Sequence, residues 1–263
     1  MNGVLVTCRA IGIESWTDST PPRPGENLPR PFRPGEKRRD RYHGARTQVL
    51  AMWVSDWSYA TDLPAGSAQA MRANLNDNID RLKAVFAAST ITVARTRRTS
   101  AGLVTLTATA EARDVIEFQP DDEPSIRRLG VELAMADPYW YGSSVTVAVP
   151  VFTTQAHTNV GQVPGYTPTV RFVGPLTSPE LRITSTSPNV VLRYEGAVAS
   201  GHFVDVDTDS LTAKVDGVTL DVGNVRHSGS DLWFPVPVGA ATMTLTAAAG
   251  TGSAQVTYSS AYL

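Results

Sequence analysis

The sequence predicts a mainly β protein of two domains: a β-rich N-terminal domain with one α-helix and a long Pro/Arg-rich arm, then an antiparallel β-sandwich. Three observations carry this. Apolar and polar residues alternate with period two along most of the 263 residues. Only one window has the helical period, and beyond residue 150 short β-branched runs recur at spacings of roughly 8 to 12 residues with turn residues between them. Hydrophobic residues make up 42% and charged residues 18% of the chain, against about 25% charged in a typical domain. That composition supplies apolar material for buried cores and argues against global disorder. The length allows one large or two ordinary domains, and two is favoured.

In chain order, Val4 to Ile13 reads as the first strand, with Cys8 as a buried small hydrophobe among alternating neighbours. Thr17 to Ala45 carries Pro21, Pro22, Pro24, Pro29, Pro31 and Pro34 and no apolar period, so neither helix nor central strand is expected. A connection beyond about 12 to 15 residues is uncommon inside a domain. From Arg23 to Arg46, the basic residues Arg23, Arg30, Arg33, Lys37, Arg38, Arg39, Arg41 and Arg46 face only Glu26, Glu36 and Asp40, a local balance of +5 in a chain of net charge -2, which leaves -7 elsewhere. Two readings stand side by side: a solvated loop, or an arm that docks on an acidic neighbour or faces nucleic acid.

Thr47 to Val54 alternates through Val49, Ala51 and Trp53 and predicts a strand. From Ser67 to Phe86, Met71, Leu75, Ile79, Leu82 and Phe86 form an apolar stripe over the polar face of Arg72, Asn76, Asp80 and Lys83, with Ser67 as N-cap. Such a helix is expected to lie across a sheet. Thr90 to Arg97 and Gly102 to Ala110 predict a hairpin turning at Thr99-Ser100-Ala101-Gly102, followed by strands at Val131 to Met135 and Val145 to Phe152. Thr153 to Thr167 reads as a polar connection, so the domains are expected at 1-150 and 151-263. Eight strands are expected after it: Thr169 to Val173, Glu180 to Thr184, Val190 to Tyr194, His202 to Val206, Leu211 to Val215, Leu232 to Val236, Thr242 to Ala247 and Ala254 to Tyr258.

Residues suited to catalysis do not assemble in this sequence. One cysteine excludes a disulfide framework and a Cys-rich zinc site, and fits folding in a reducing cytosol. No secretory leader is visible, and the longest apolar runs fall far short of the roughly 20 residues of a spanning helix. Gly250-Thr251-Gly252 lacks the third glycine of a dinucleotide loop, and His43, His157, His202 and His227 have no i+4 partners. Asp205-Val206-Asp207-Thr208-Asp209-Ser210 resembles a calcium loop only until its sixth position, Ser210, and its twelfth, Asp216, so an Asp-rich hairpin tip is expected. Glu111, Asp114 and Glu117 read as strand-edge charges. The reading assigns no catalytic residue, cofactor or metal, and near-neutrality excludes a nucleic-acid binder held by bulk charge.

A series of motifs nevertheless resembles one family. Leu133-Ala134-Met135-Ala136-Asp137-Pro138-Tyr139-Trp140-Tyr141-Gly142 is similar to the end of the first domain in distal tail proteins of long-tailed, non-contractile phages. In the family's order there follow Asn159-Val160-Gly161, Pro168-Thr169-Val170, Gly174, Ser178-Pro179-Glu180-Leu181, Val204 to Asp209 closing on Asp216-Gly217, and Asp231-Leu232-Trp233-Phe234-Pro235-Val236-Pro237-Val238-Gly239. Ala240 stands where the family has Asn. The resemblance spans essentially the whole chain. It implies an N-terminal belt domain forming a hexameric ring and a C-terminal galectin-like sandwich, without chemistry. Implied partners are the tail tube protein, the tape measure protein and tail tip or receptor-binding proteins, with DNA only in transit, in a virion assembled in the host cytoplasm. On this reading the basic arm packs on an adjacent subunit or tail component, and Trp53, Trp57, Trp140 and Trp233 are core or interface aromatics. Two alternatives are a lectin-like module stacking sugar on Trp233, Tyr194 or Tyr166, and a tail tube subunit.

Overall fold

The computed structural model describes residues 1–17, 28–29, 36–37, 45–99, 102–113, 118–120, 123–165, 167–185, 189–210, 212–228 and 234–263. They form two compact units, Met1–Trp140 and Tyr141–Leu263. The mainly β class predicted from the alternation is what the structure has, with one α-helix among the described residues.

Unit 1 contains β1 (Ile11–Thr17), β2 (Leu28–Pro29), β3 (Glu36–Lys37), β4 (Arg46–Ser55), α1 (Ala68–Phe86), β5 (Ile91–Thr99), β6 (Gly102–Arg113), β7 (Gln119–Pro120) and β8 (Ile126–Met135). Its main sheet runs β1-β4-β8-β6, with β5 on β6 and β7 on β8, while β2 and β3 pair with each other. The first strand begins later than its composition predicts. Residues 4 to 10 make other contacts: Cys8 N donates locally to Ile11 O at 3.0 Å and Arg9 N to the distant Asp62 Oδ1 at 2.8 Å, which hold a bend in place of the expected strand. Cys8 is accordingly half-buried.

The hairpin is in the predicted register, Thr99 pairing with Gly102. On β4 the face is reversed: Leu50, Met52 and Val54 are fully buried while Val49 is 47% exposed. Helix α1 packs on β4, so the covered face becomes the core face. Both alternating sets are apolar there, so period two gives the strand but not its inward side. On β6, Leu106, Ala108 and Ala110 point inward, and Leu103 is 73% exposed.

Helix α1 starts where its cap predicts, Ser67 Oγ accepting Ala70 N–H at 3.2 Å. Leu75, Leu82 and Phe86 are buried, whereas Met71 is exposed. A residue outside the apolar stripe does as much as any within it: buried Asn78 donates through Nδ2 to Ser55 O and Trp57 O, both at 2.9 Å, tying the helix to the end of β4. Asn78→Ala deprives two carbonyls of their donor and is expected to lower the stability of unit 1 by about 2 kcal/mol. A urea denaturation midpoint that does not move would contradict this role.

Unit 2 begins within β9 (Trp140–Pro150). It continues with β10 (Thr153–Asn159), β11 (Thr169–Val173), β12 (Leu176–Thr177), β13 (Glu180–Thr184), β14 (Val190–Tyr194), β15 (Ala197–Val198), β16 (Phe203–Asp207), β17 (Thr212–Val215), β18 (Thr219–Leu220), β19 (Val225–Ser228), β20 (Gly239–Thr246), β21 (Ala249–Gly250) and β22 (Ser253–Tyr262). One sheet has the order β9-β22-β11-β16-β17-β18, the other β10-β20-β13-β14-β19, with a small β15-β12-β21 sheet. Phe172, Val204, Val206 and Val256 from the first and Leu181, Ile183, Leu192 and Met243 from the second share one buried cluster. That is a sandwich core.

β11, β13 and β14 have the predicted limits. The polar connection expected from Thr153 to Thr167 does not hold over its first seven residues, because Thr153–Asn159 is the strand β10, paired with β20 along its whole length. Most of its polar side chains face water from a sheet edge, which is why the segment resembles a loop in composition. In the expected strand Leu232 to Val236, the described residues contribute only an isolated bridge from Val236 to Gly165. The Asp-rich segment is the β16–β17 hairpin as expected. Asp216 and Gly217, both with positive φ (50° and 72°), turn β17 into β18.

Candidate assembly surfaces

The Asp-Pro-aromatic motif is built around a buried tryptophan. Asp137 Oδ1 accepts the N–H of Tyr139 at 3.1 Å, a local turn that follows from a short acceptor side chain two residues upstream. Trp140 is fully buried, its ring 5.8 Å from that of Trp16, with the Arg95 guanidinium 4.1 Å above it. The indole N–H groups of Trp16 and Trp140 meet no hydrogen-bond acceptor among the described residues. Trp53 and Trp57 are half-buried. The Trp53 ring lies over Gly12, where a Cβ would come within 2.3 Å of it, and the Arg9 guanidinium stands 4.9 Å over Trp57. Trp233 lies outside the described residues, as does Tyr166.

Of the basic set, Arg23, Arg30, Arg33, Arg38, Arg39 and Arg41 lie outside the described residues, and Lys37 is described only as part of β3. Arg46 belongs to the sheet: it opens β4, is 3% exposed, and donates through Nη1 to Pro138 O at 3.3 Å.

In unit 2 the polar motifs have structural partners. Asn159 is buried; its Oδ1 accepts Gly161 N–H at 3.0 Å and Ser260 Oγ–H at 3.1 Å, and its Nδ2 donates to Val236 O at 3.2 Å. One amide thus joins the end of β10, the chain before β20 and the last strand. Arg171 meets Asp205 through two bonds of 2.6 and 2.9 Å. Asp207 Oδ1 accepts Asp209 N–H at 2.9 Å, and Asp216 pairs with His202 at 2.7 Å and accepts Phe203 N–H at 3.0 Å. The His202 bond holds the Asp216 carboxyl below its ordinary pKa.

Tyr194 is a core residue and not a platform for sugar. Its ring is buried, its hydroxyl donates to Asp221 Oδ2 at 2.6 Å, and burial together with that bond pushes its pKa up to about 12. His157 bonds the Tyr258 hydroxyl with its ring edge-on to the tyrosine, and desolvation lowers its pKa. Gly250-Thr251-Gly252 is likewise structural: the N–H groups of Thr251 and Gly252 donate to Pro175 O at 3.1 and 3.0 Å. Of the carboxylates considered, Glu111 is exposed on β6, while Asp114 and Glu117 lie outside the described residues. No group of metal-ligating side chains occurs among the described residues, and no described helix is long and apolar enough to cross a membrane.

No family model matches the chain, and no curated protein sequence matches it. Among solved structures, the crystal structure of the Dit protein of phage SPP1, described as a paradigm of the hub adsorption apparatus in phages infecting Gram-positive bacteria, is similar over 97% of this chain and 94% of that chain, with a TM-score of 0.62 and 12% identity. Chains of the phage P2 baseplate in its activated conformation, with Ca and with Sr, are 9% identical with TM-scores of 0.42 and 0.39; they cover 96% of this chain and 92% and 91% of those chains. Those two scores are too low to carry an argument. The first likeness establishes a shared fold through both units.

Proposed function

We propose that the chain is a structural subunit of the distal hub of a phage tail. The observation that carries this is the shared fold with a hub protein over nearly the full length of both chains, so that the two units occur in the same order in one polypeptide. Fold alone is a weak guide to activity. What supports the reading beside it is that the prominent polar side chains of unit 2, Asn159, Tyr194, Asp207, Asp216 and Asp221, are engaged in holding strands and turns together.

In this proposal residues 1-150 supply the belt of an oligomeric ring, hexameric as in the family the motifs resemble, and residues 151-263 a galectin-like sandwich. The ring joins the tail tube to the tip or receptor-binding proteins and leaves a lumen for the tape measure protein and DNA. The basic arm docks on a neighbouring subunit, since with Arg46 counted in the sheet its balance is still +4 and recurs once per copy against the -6 of the remainder.

Mass measurement in solution with negative-stain imaging tests the ring; a strict monomer at high concentration, also absent from tails, would contradict it. Replacing Arg38, Arg39 and Arg41 together by Ser is expected to weaken assembly about tenfold at low salt, with a smaller effect as salt screens the wild type. Assembly unchanged across the salt series would remove the arm from the interface.

A further inference from the structure

β10 ends its sheet, and among the described residues no strand pairs with its outer edge. Edge strands are ordinarily guarded by a charge, a proline, a bulge or extreme shortness. β10 has none of these guards: its seven residues carry no Asp, Glu, Lys, Arg or Pro, and they pair with β20 in unbroken register from Thr153↔Leu245 to Asn159↔Gly239. Thr153, Thr154, Gln155, Ala156 and Thr158 are exposed.

The neutrality is regional. Charged residues make up 18% of the chain, yet none occurs from Pro138 to Val170 or from Leu232 to Leu263, so β9, β10, β20 and β22 all lack them. Depletion of charge, more than bulk hydrophobicity, is what marks the centre of a protein interface.

Two exposed apolar side chains bracket the strand, Phe152 at 63% and Val160 at 69%. Phe152 also holds a φ of 60°, a left-handed conformation costly for a bulky residue. Its N–H is bonded to Leu245 O at 2.8 Å. The face beside this edge is also shallow and uncharged: a groove of about 600 Å³ lies over β10, β20 and β13, lined by Ala156, Thr158, Thr184, Ala240 and Thr242 among others.

We infer that β10 is a docking edge for an extended, uncharged segment of another tail protein, which adds to the sheet as a further strand; this rests on the tail-hub reading. Main-chain bonds to β10 supply the attachment. The segment's small or uncharged side chains lie over Thr154, Ala156 and Thr158, and apolar residues at its two ends cover Phe152 and Val160. The neutral edge selects this occupant over the chain's own basic arm, whose charges would be desolvated there without partners. A second copy pairing β10 with β10 requires a two-fold contact, whereas neighbours in a ring meet head to tail.

The test is amide hydrogen exchange of the full chain, isolated and within purified tails of the phage that encodes it, with Phe152→Gly and Ala156→Lys variants carried in parallel. Glycine accepts the left-handed backbone, so Phe152→Gly is expected to melt no lower than wild type while removing one apolar end of the edge. In tails the β10 amides are expected to exchange at least about tenfold more slowly than in the isolated chain, and both variants to yield tails depleted of a tip protein. Three results would overturn the inference: unchanged β10 exchange in tails that contain the chain, protection traced by cross-linking to β10 of a second copy, or complete tips with Ala156→Lys. Absence of the chain from tails would overturn the hub reading as well, and is told apart by the protein content of the tails.

Discussion

Gly252→Ala is expected to destabilise unit 2 by about 4 kcal/mol, among the largest effects a single methyl group produces. The added Cβ would stand 2.0 Å from Val173 O, 2.9 Å from Leu176 Cγ and 3.1 Å from Pro175 O. The nearest of these is backbone, not the end of a flexible side chain. Val173 O lies at the end of β11, a central strand of its sheet, and the chain at Gly252 is itself held by two N–H bonds to Pro175 O. Neither side can withdraw without breaking main-chain hydrogen bonds, and overpacking of this kind is costly. Gly223→Ala is the control. A Cβ there meets nothing within 4 Å, so its effect should stay within about 0.5 kcal/mol. Urea denaturation of the full chain reads both, and a Gly252→Ala midpoint equal to that of Gly223→Ala would show that the crowding is relieved at no cost.

Asn159→Ala is expected to cost about 3 kcal/mol, since one truncation leaves the Gly161 N–H, the Val236 carbonyl and the Ser260 hydroxyl without their partner in a buried place. For a domain of this size that corresponds to a fall in melting temperature of roughly 10 °C. The same junction excludes a side chain at Gly161, where a Cβ would lie 2.7 Å from Ala261 O. Asn159→Asp keeps an acceptor for Gly161 and Ser260 but sets a buried carboxylate oxygen against the Val236 carbonyl, so at neutral pH it should cost at least as much as Ala. An Asn159→Ala protein that melts with wild type would contradict the assignment of Asn159 as the joint between β10 and the last strand.

Strands flanked by turn residues and buried on one side were legible from composition, as β11, β13 and β14 show, and the helix was legible from its stripe and its serine cap. The inward face of β4 was not, because both sets of alternating residues are apolar or small and what decides between them is the packing of α1 against the strand. Strand β10 was hidden for a different reason: a sheet edge facing water on most positions has no apolar alternation to betray it. Its signal was the absence of charge on either side, which a search for periodicity passes over. Neither composition nor period marks Asn78 or Asn159 as buried, and their burial follows from carbonyls and amides that only the folded chain brings to them. Gly250 and Gly252, set aside as a failed phosphate loop, owe their identity to the backbone packed against them. The basic arm, read from charge and proline content, lies mostly outside the described residues, so its role rests on the assembly experiment.

The central claim is a place in the virion, and immunogold electron microscopy of intact phage particles with antibody against this chain tests it most directly. Gold confined to the distal end of the tail, at the junction of tube and tip, is the expected result. Label spread along the whole tail would instead identify a tube subunit, and particles devoid of the protein would contradict the hub reading altogether.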